Sequence, residues 1–457
     1  MFRLKSTPTL SFSQAARWFF TMLACSKIQR QYTLRMSLKL NCLLWLVLAC
    51  GTGIGQAASL SEYAATFKQQ LREKIMPYWH NTAVDRAKGG YLLADDGSGG
   101  RQARDKQLVT QSRMVWGFSH AHVKGLGTNN LNYLRSAEYG YRFLLEHFRD
   151  KDNGGYFWTT DLDGKVLNDS KILYGQCFVI YAMVEFYRAG GDRKALEHAM
   201  ELFHVIQKNA HDAKNKGWIE HFTKDWQPIL ANDGRAIVER GGCKSANTHL
   251  HWMEALTELY MVTRDIEVKK ALEEAVELNR QYFYPANPGK SCFHRHLDWK
   301  PTTEPASAGL SYGHNVEFAW LMIHAQNALG EKPVWNHFYA HLDHALKYGY
   351  DWVNGGLYYR GYDDKPATVT DKVWWAEAEL IAALSDALQQ KENPAYRAAL
   401  TKQIEFLLQY QIDPSDGIWR DTVTADGKPK TPAKAHNWKA NYHDVRALMK
   451  FCETFSR

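Results

Sequence analysis

The sequence predicts an all-α fold, an (α/α)6 barrel of six helix pairs with short β-hairpins in the connecting loops. Three observations lead there. A glycine-containing turn followed by an aromatic or apolar residue recurs six times, the segments between turns carry helical apolar periodicity, and no Pro/Ser-rich linker interrupts the chain beyond residue 58. The turns are Lys88-Gly89-Gly90-Tyr91, Asn153-Gly154-Gly155-Tyr156, Lys216-Gly217-Trp218, Pro288-Gly289-Lys290, Asn354-Gly355-Gly356-Leu357 and Asp416-Gly417-Ile418-Trp419. Each reads as a short hairpin, and the period of roughly 60–70 residues exceeds a single helical-repeat unit.

Between hairpins, residues such as Tyr174, Cys177, Phe178, Tyr181 and Val184 fall at three- and four-residue steps, one face of a helix. The same texture predicts one helix set near 106–124, 171–188, 245–263, 311–329, 371–389 and 437–455. A second set falls near 59–79, 129–149, 191–209, 266–284, 333–349 and 393–411. Two alternating sets of six close as inner and outer rings, because the first helix lacks a preceding partner and the last a following one. An open solenoid is the alternative.

The chain divides into a leader over 1–57 and a barrel domain over 58–457. The leader holds Arg3, Lys5, Arg17, Lys27, Arg30, Arg35 and Lys39 and no acidic residue, and it accounts for the whole formal charge of +7. The remainder balances 49 basic against 49 acidic residues, which argues against nucleic acid as a partner. Arg35 and Lys39, the apolar run Leu43 to Cys50 and the small residues up to Ala57 follow the order of a secretory signal. Periplasmic or secreted residence is expected, with the cytoplasm as the alternative. Met36 is an alternative start, which would leave residues 1–35 untranslated. The apolar run is short for a membrane span, so none is expected in the mature chain. Cys177, Cys243, Cys292 and Cys452 are scattered without C-x-x-C spacing and indicate neither a zinc ribbon nor a disulfide framework.

Chemistry-bearing residues concentrate in the first helix set, assigned to the inner ring. They are Arg113; Tyr174 and Gln176; Asn247, His249, His251 and Glu254; Tyr312, His314 and Glu317; Trp374, Trp375, Glu377 and Glu379; and Trp438, Tyr442 and His443. Near the helix N-termini they would share one mouth of the barrel. Tryptophan faces stack on the apolar faces of sugar rings while charged groups bond hydroxyls. Histidine suits proton transfer near neutral pH, which makes His314 and His443 the candidate catalytic pair. Glu254 and Glu317 either orient a histidine tautomer or form ion pairs between helices. Adjacent Trp374 and Trp375 diverge by about 100°, so one of them is expected in the core. His249 and His251 point about 200° apart and cannot ligate one ion together; His249 reads as packing. His294 and His296 could share an ion from a strand but lack an evident third ligand, and no metal is expected.

These segments resemble the N-acylglucosamine 2-epimerase superfamily, and most closely its cellobiose 2-epimerase branch. The resemblance rests on Asn247-Thr-His-Leu-His251 with Glu254, Ser311-Tyr-Gly-His314, Trp374-Trp375 with Glu379, and Trp438 followed by Tyr442-His443. It implies an (α/α)6 barrel and a carbohydrate substrate, epimerised at C2 without metal or cofactor. His314 and His443 would be the acid/base pair. Arg113 and Asn247 would bind sugar oxygens, with Tyr174, Glu254, Glu317 and Glu379 also around the substrate. His251 would assist ring opening, and Trp374 or Trp375 with Trp438 would form stacking walls. Glu377 in place of a Gln, Asn315 in place of an Asp, and Lys439-Ala440-Asn441 in place of Lys-Cys-Pro depart from the branch's pattern and bear on substrate choice. Return of the proton to C1 instead of C2 would make the enzyme an aldose–ketose isomerase. A glycoside hydrolase would instead need two carboxylates across the cleft, for which Glu317, Glu379 and Asp371 are candidates. A non-catalytic carbohydrate-binding protein is the third alternative.

Overall fold

Sequence periodicity separates two kinds of helix. Inner segments such as LYGQCFVIYAMVEF are apolar nearly all round and are buried on every side, whereas outer segments bury a single stripe, as with Ala195, Ala199, Leu202, Phe203 and Ile206. The structure, a computed structural model, describes residues 58–93, 103–128, 130–190, 193–303, 307, 309 and 311–456; the expected leader lies outside them. The inner helices are α3 (Leu108–Val123), α5 (Leu173–Gly190), α7 (Ala246–Thr263), α9 (Tyr312–Leu329), α11 (Trp374–Gln390) and α13 (His443–Phe455). The outer layer comprises α1 (Leu60–Gln70) with its continuation α2 (Met76–Thr82), α4 (Tyr133–Phe143), α6 (Arg193–Asn209), α8 (Ile266–Leu278), α10 (Trp335–Tyr348) and α12 (Pro394–Phe406). Each inner helix from α3 to α11 packs on the next inner helix and on the outer helix that follows it in sequence. The arrangement is the (α/α)6 barrel.

The ring closes where α13 meets the start of the chain. Phe67 of α1 packs edge-on against Phe451 at 5.7 Å, and Lys124, just past α3, pairs with Glu453. Gly117 of α3 backs directly onto the Asn441 backbone in the turn before α13: a Cβ there would collide with the Asn441 carbonyl oxygen, so this close approach admits only glycine.

The hairpin turns form at five of the six expected places, closed by bridges such as Val84 to Tyr91, Arg149 to Tyr156 and Tyr350 to Leu357. The fourth differs, because Pro288–Lys290 is a 3-10 turn. Four turns are locked by a buried lysine from the strand that precedes an inner helix. Lys106, Lys171, Lys244 and Lys372 bond Asp85, Asp150, Asp212 and Asp351 at 2.7–3.0 Å and also donate to loop carbonyls. Each aspartate in turn accepts backbone N–H groups of its own turn.

Helix starts are the main correction to the sequence reading. The residues just before α3, α5, α7 and α11 are short strands that pair with the following repeat: Lys106–Gln107 with Thr159–Thr160, Lys171–Ile172 with His221–Phe222, Cys243–Ser245 with His294–His296, and Lys372–Val373 with Thr422–Val423. The last helix was expected from 437 but begins at His443. Residues 437–442 spend their backbone bonds on tight turns instead, Lys439 N–H to the His436 carbonyl and Tyr442 N–H to the Ala440 carbonyl.

Candidate active site

The strand lysines set a common register for the inner helices. Five residues after Lys106, Lys171, Lys244 and Lys372 stand Gln111, Gln176, His249 and Glu377, which accept the turn N–H groups of Tyr91, Tyr156, Trp218 and Leu357 at 2.8–3.2 Å. Two residues further along, about 200° round the helix, stand Arg113, Phe178, His251 and Glu379. Lys439 places Arg446 at the same step, and Glu317 takes the position on α9. Arg113, His251 and Glu317 of this inward layer reach a cavity of about 270 Å³, lined also by Tyr174, Asn247, His314, Trp374, Trp375, Trp438 and His443, while Phe178, Glu379 and Arg446 pack behind it.

Carboxylates behind this cavity orient the histidines. His443 Nδ1 lies 2.6 Å from Glu379 Oε1, and the other oxygen of Glu379 accepts the Trp320 indole N–H at 2.9 Å. His251 Nδ1 lies 2.8 Å from Glu254 Oε2, whose partner oxygen accepts the Tyr442 hydroxyl at 2.7 Å. Arg446 ties these pairs together: it donates to Glu254, to Glu379 at 2.8 Å and to Glu317 at 3.1 Å. Among the described residues no carboxylate bonds His314; its Nδ1 lies 2.7 Å from the Ser311 hydroxyl, which caps α9 by accepting the His314 backbone N–H.

Burial pushes both His314 and His443 down to about 3, the former aided by its cationic neighbours and the latter opposed by Glu379. Burial also lowers His251. All three imidazoles are therefore neutral bases at pH 7. Burial disfavours the charge on Glu254, but Arg446 and His251 hold it down at about 2. Glu379 likewise stays ionised against burial through Arg446 and His443, whereas burial and the Glu379 charge raise Glu317. Among the described residues Glu317, Glu379 and His443 form a metal-like trio, but the Arg446 guanidinium already donates to both carboxylates.

The residues expected to be catalytic or to bind substrate lie in or directly behind this cavity, with three adjustments, whereas Gln176, His249 and Glu377 of the same helices hold the hairpin turns instead. Glu254 and Glu379 stand behind the histidines, their oxygens taken by protein donors, and do not face the cavity. Trp374 and Trp375 both line it, because they open α11 and project over its end; Trp375 sits 4.7 Å from His314 and 5.9 Å from His443 between ring centroids. Trp438 stands at the mouth, 39% exposed, on the loop before α13. Arg113 donates to the Tyr174 hydroxyl at 2.9 Å and to the Trp438 carbonyl at 3.2 Å, bracing this wall.

His249 is a packing residue as expected, with both ring nitrogens facing backbone groups. His294 bonds Glu239 rather than sharing an ion with His296. Sequence reasoning missed Glu239, which accepts from Asn247 at 2.9 Å, together with Tyr359, Arg360 and Phe293, all on loops without periodicity. It also missed Arg446, which was legible as an arginine three residues, one turn, after His443.

The family profile described as N-acylglucosamine 2-epimerase matches residues 89–447. The chain belongs to the N-acylglucosamine 2-epimerase family. Within it, the chain is 28% identical over 397 residues to a cellobiose 2-epimerase from Dictyoglomus turgidum, covering 84% of this chain and 96% of that protein. It is 30% identical over 392 residues to one from Ruminococcus albus, with the same coverage of 84% and 96%. The solved cellobiose 2-epimerase from Spirochaeta thermophila superposes with a TM-score of 0.77 at 29% identity, covering 87% of this chain and 97% of that one. These relatives are named as carbohydrate epimerases, and His314 and His443, the pair expected from the sequence to be catalytic, line one pocket of this barrel.

Proposed function

We propose that the protein is a sugar 2-epimerase that interconverts gluco and manno configurations at the reducing end of a disaccharide or monosaccharide. One observation carries this reading. His314 and His443, from the fourth and sixth inner helices, reach a single cavity around Trp375, each with Nδ1 engaged and Nε2 without a hydrogen-bond partner among the described residues.

The chemistry follows from the acidity of C2. Only the open-chain aldehyde acidifies that C–H, so a proton must first move from the anomeric hydroxyl to the ring oxygen, a task suited to His251 backed by Glu254. One catalytic histidine then removes the C2 proton, and the electron pair moves onto O1 as an enediolate. Arg113 and Asn247 are placed to bind the sugar oxygens there. The second histidine, which must have taken up a proton before this step, returns it to the opposite face of C2, inverting it; the proton left on the first histidine is lost to solvent before the next turnover. Glu317 and Glu379 bond one guanidinium side by side, and Asp371 pairs with Lys430 at 2.8 Å, which favours this route over a two-carboxylate hydrolysis. Similarity to cellobiose 2-epimerases supports a β-linked disaccharide as substrate. Export, read from the order of charges and small residues in the leader, belongs to the same proposal; cell fractionation recovering the protein only in the cytoplasm would remove it.

The test is incubation with cellobiose, mannobiose and mannose in D2O, followed by NMR. Deuterium at C2 together with the 2-epimer is expected. A ketose product would convert the reading to isomerase, a shortened oligosaccharide to hydrolase, and the absence of both exchange and conversion would overturn it.

A further inference from the structure

The two catalytic histidines are backed differently. His443 rests on the Glu379 carboxylate, which can only accept, whereas His314 rests on the neutral Ser311 hydroxyl, which can accept or donate. Ser311 is fully buried, and its oxygen lies 2.7 Å from Nδ1 and 3.1 Å from the His314 backbone nitrogen. The same atom therefore starts α9 and holds the ring that this helix carries into the cavity.

We propose that Ser311 is a positioning residue of the reaction, whose hydroxyl aims His314 Nε2 at the substrate while withholding from it the carboxylate that backs His443. The assignment rests on the epimerase reading above. The surroundings sharpen the asymmetry. Phe293 and Trp375 flank the His314 ring at 5.5 and 4.7 Å, and the charged or titratable groups acting on it are His251, Arg360, His443 and the more distant Glu379. His443 faces Glu379 directly, with Glu317, Arg446 and Arg113 beyond. A carboxylate stabilises an imidazolium and a hydroxyl does not, so of the two rings, both neutral in the free enzyme, His443 is the better able to take up the proton that is returned to C2. In that direction of turnover His443 is the acid and His314 the base.

Three variants test this: Ser311→Ala, Ser311→Thr and Ser311→Asp. Loss of the hydroxyl in Ser311→Ala is expected to lower kcat about 10- to 100-fold with KM within about threefold, the pattern of a misaimed catalytic group. Ser311→Thr keeps hydroxyl and cap and should restore kcat to within about threefold of the parent. Ser311→Asp also keeps the cap but gives His314 a carboxylate. Because His314 must be neutral to act as base, the acidic limb of kcat/KM should move up by about one pH unit. An unmoved pH profile in Ser311→Asp would reduce Ser311 to a helix cap and overturn the proposal. Ring 15N spectra of His314 in sugar-free enzyme supply a readout independent of turnover. A change in its tautomer or titration in Ser311→Asp supports the assignment even if no sugar in the panel is converted, which would count against the epimerase reading alone. Identical His314 signals in all variants would overturn it.

Discussion

His249 and His251 stand two residues apart on one buried helix, yet they belong to different machines. His249 faces outward and spends both ring nitrogens on backbone, Nε2 taking the Trp218 N–H at 3.2 Å and Nδ1 facing the Ser245 carbonyl at 2.9 Å. His251 faces inward and spends only Nδ1, on Glu254 at 2.8 Å, while its ring lines the cavity. The same division runs around the ring. Gln111, Gln176, His249 and Glu377 hold hairpins, whereas Arg113 and His251 face the pocket and Arg446 ties Glu379 and Glu254 together behind it. What separates structural from chemical polar residues here is neither type nor burial, since both layers are polar and buried. It is whether a polar atom remains unspent and faces the cavity.

Six substitutions would break or sharpen that contrast. The largest effect is expected for His314→Ala and His443→Ala, each losing about 10²- to 10⁴-fold in C2 deuterium exchange with the thermal midpoint nearly unchanged. Exchange within tenfold of the parent in either variant would remove that histidine from its role. On the outward side, Lys171→Met leaves Asp150 buried without its 2.7 Å partner. It should cost about 3–5 kcal/mol in denaturant unfolding while leaving KM unchanged. Asp150 is held at about 2 in the folded protein by Lys171 and its turn N–H groups against the penalty of burial. A depressed carboxyl stabilises above its unfolded value and loses that contribution as pH falls toward 2, so the parent's lead over Lys171→Met should shrink on acidification through pH 4 to 2.

The paired histidines give an intermediate test. His251→Gln should slow conversion of the closed-ring sugar tenfold or more, by the usual range of general acid/base contributions, whereas His249→Gln should stay within about threefold. Equal losses in steady-state rate for the two variants would erase the distinction between layers.

The smallest effect concerns Glu377, which burial raises to about 7 even though it accepts the Leu357 N–H. A carboxyl raised in the folded state costs stability as pH climbs from its unfolded value through 7. Glu377→Gln should therefore stabilise the protein by about 1–3 kcal/mol at pH 8, with no gain at pH 4 and unchanged kcat. A change in substrate preference would contradict its outward placement. That placement also answers the departure noted in the sequence: Glu377 occupies the hairpin-holding step filled elsewhere by Gln111 and Gln176, away from the sugar.

Much of the architecture was legible because it is local. Glycine turns and 3.6-residue periodicity locate five of the six hairpins and twelve helical segments among the described residues, most of them within a few residues. The misses occur where local pattern yields to long-range pairing. The residues before α3, α5 and α11 continue a helical texture but bond a strand some fifty residues away, and 437–442 turns across the mouth instead of winding. Loop residues such as Glu239 and Arg360 carried no periodic signal at all.

The sequence by itself determined the barrel, the helices that bear chemistry and the histidines, since residue type and helical phase are properties of short segments. Tertiary structure decided which atoms of those residues remain free. Glu254 and Glu379 became supports behind His251 and His443, and Arg446 became the bond between them, because α7, α9, α11 and α13 converge and each buried charge must find its partner on another helix. Ser311 was left with His314 for the opposite reason: a cap three residues away reaches the ring without any other helix.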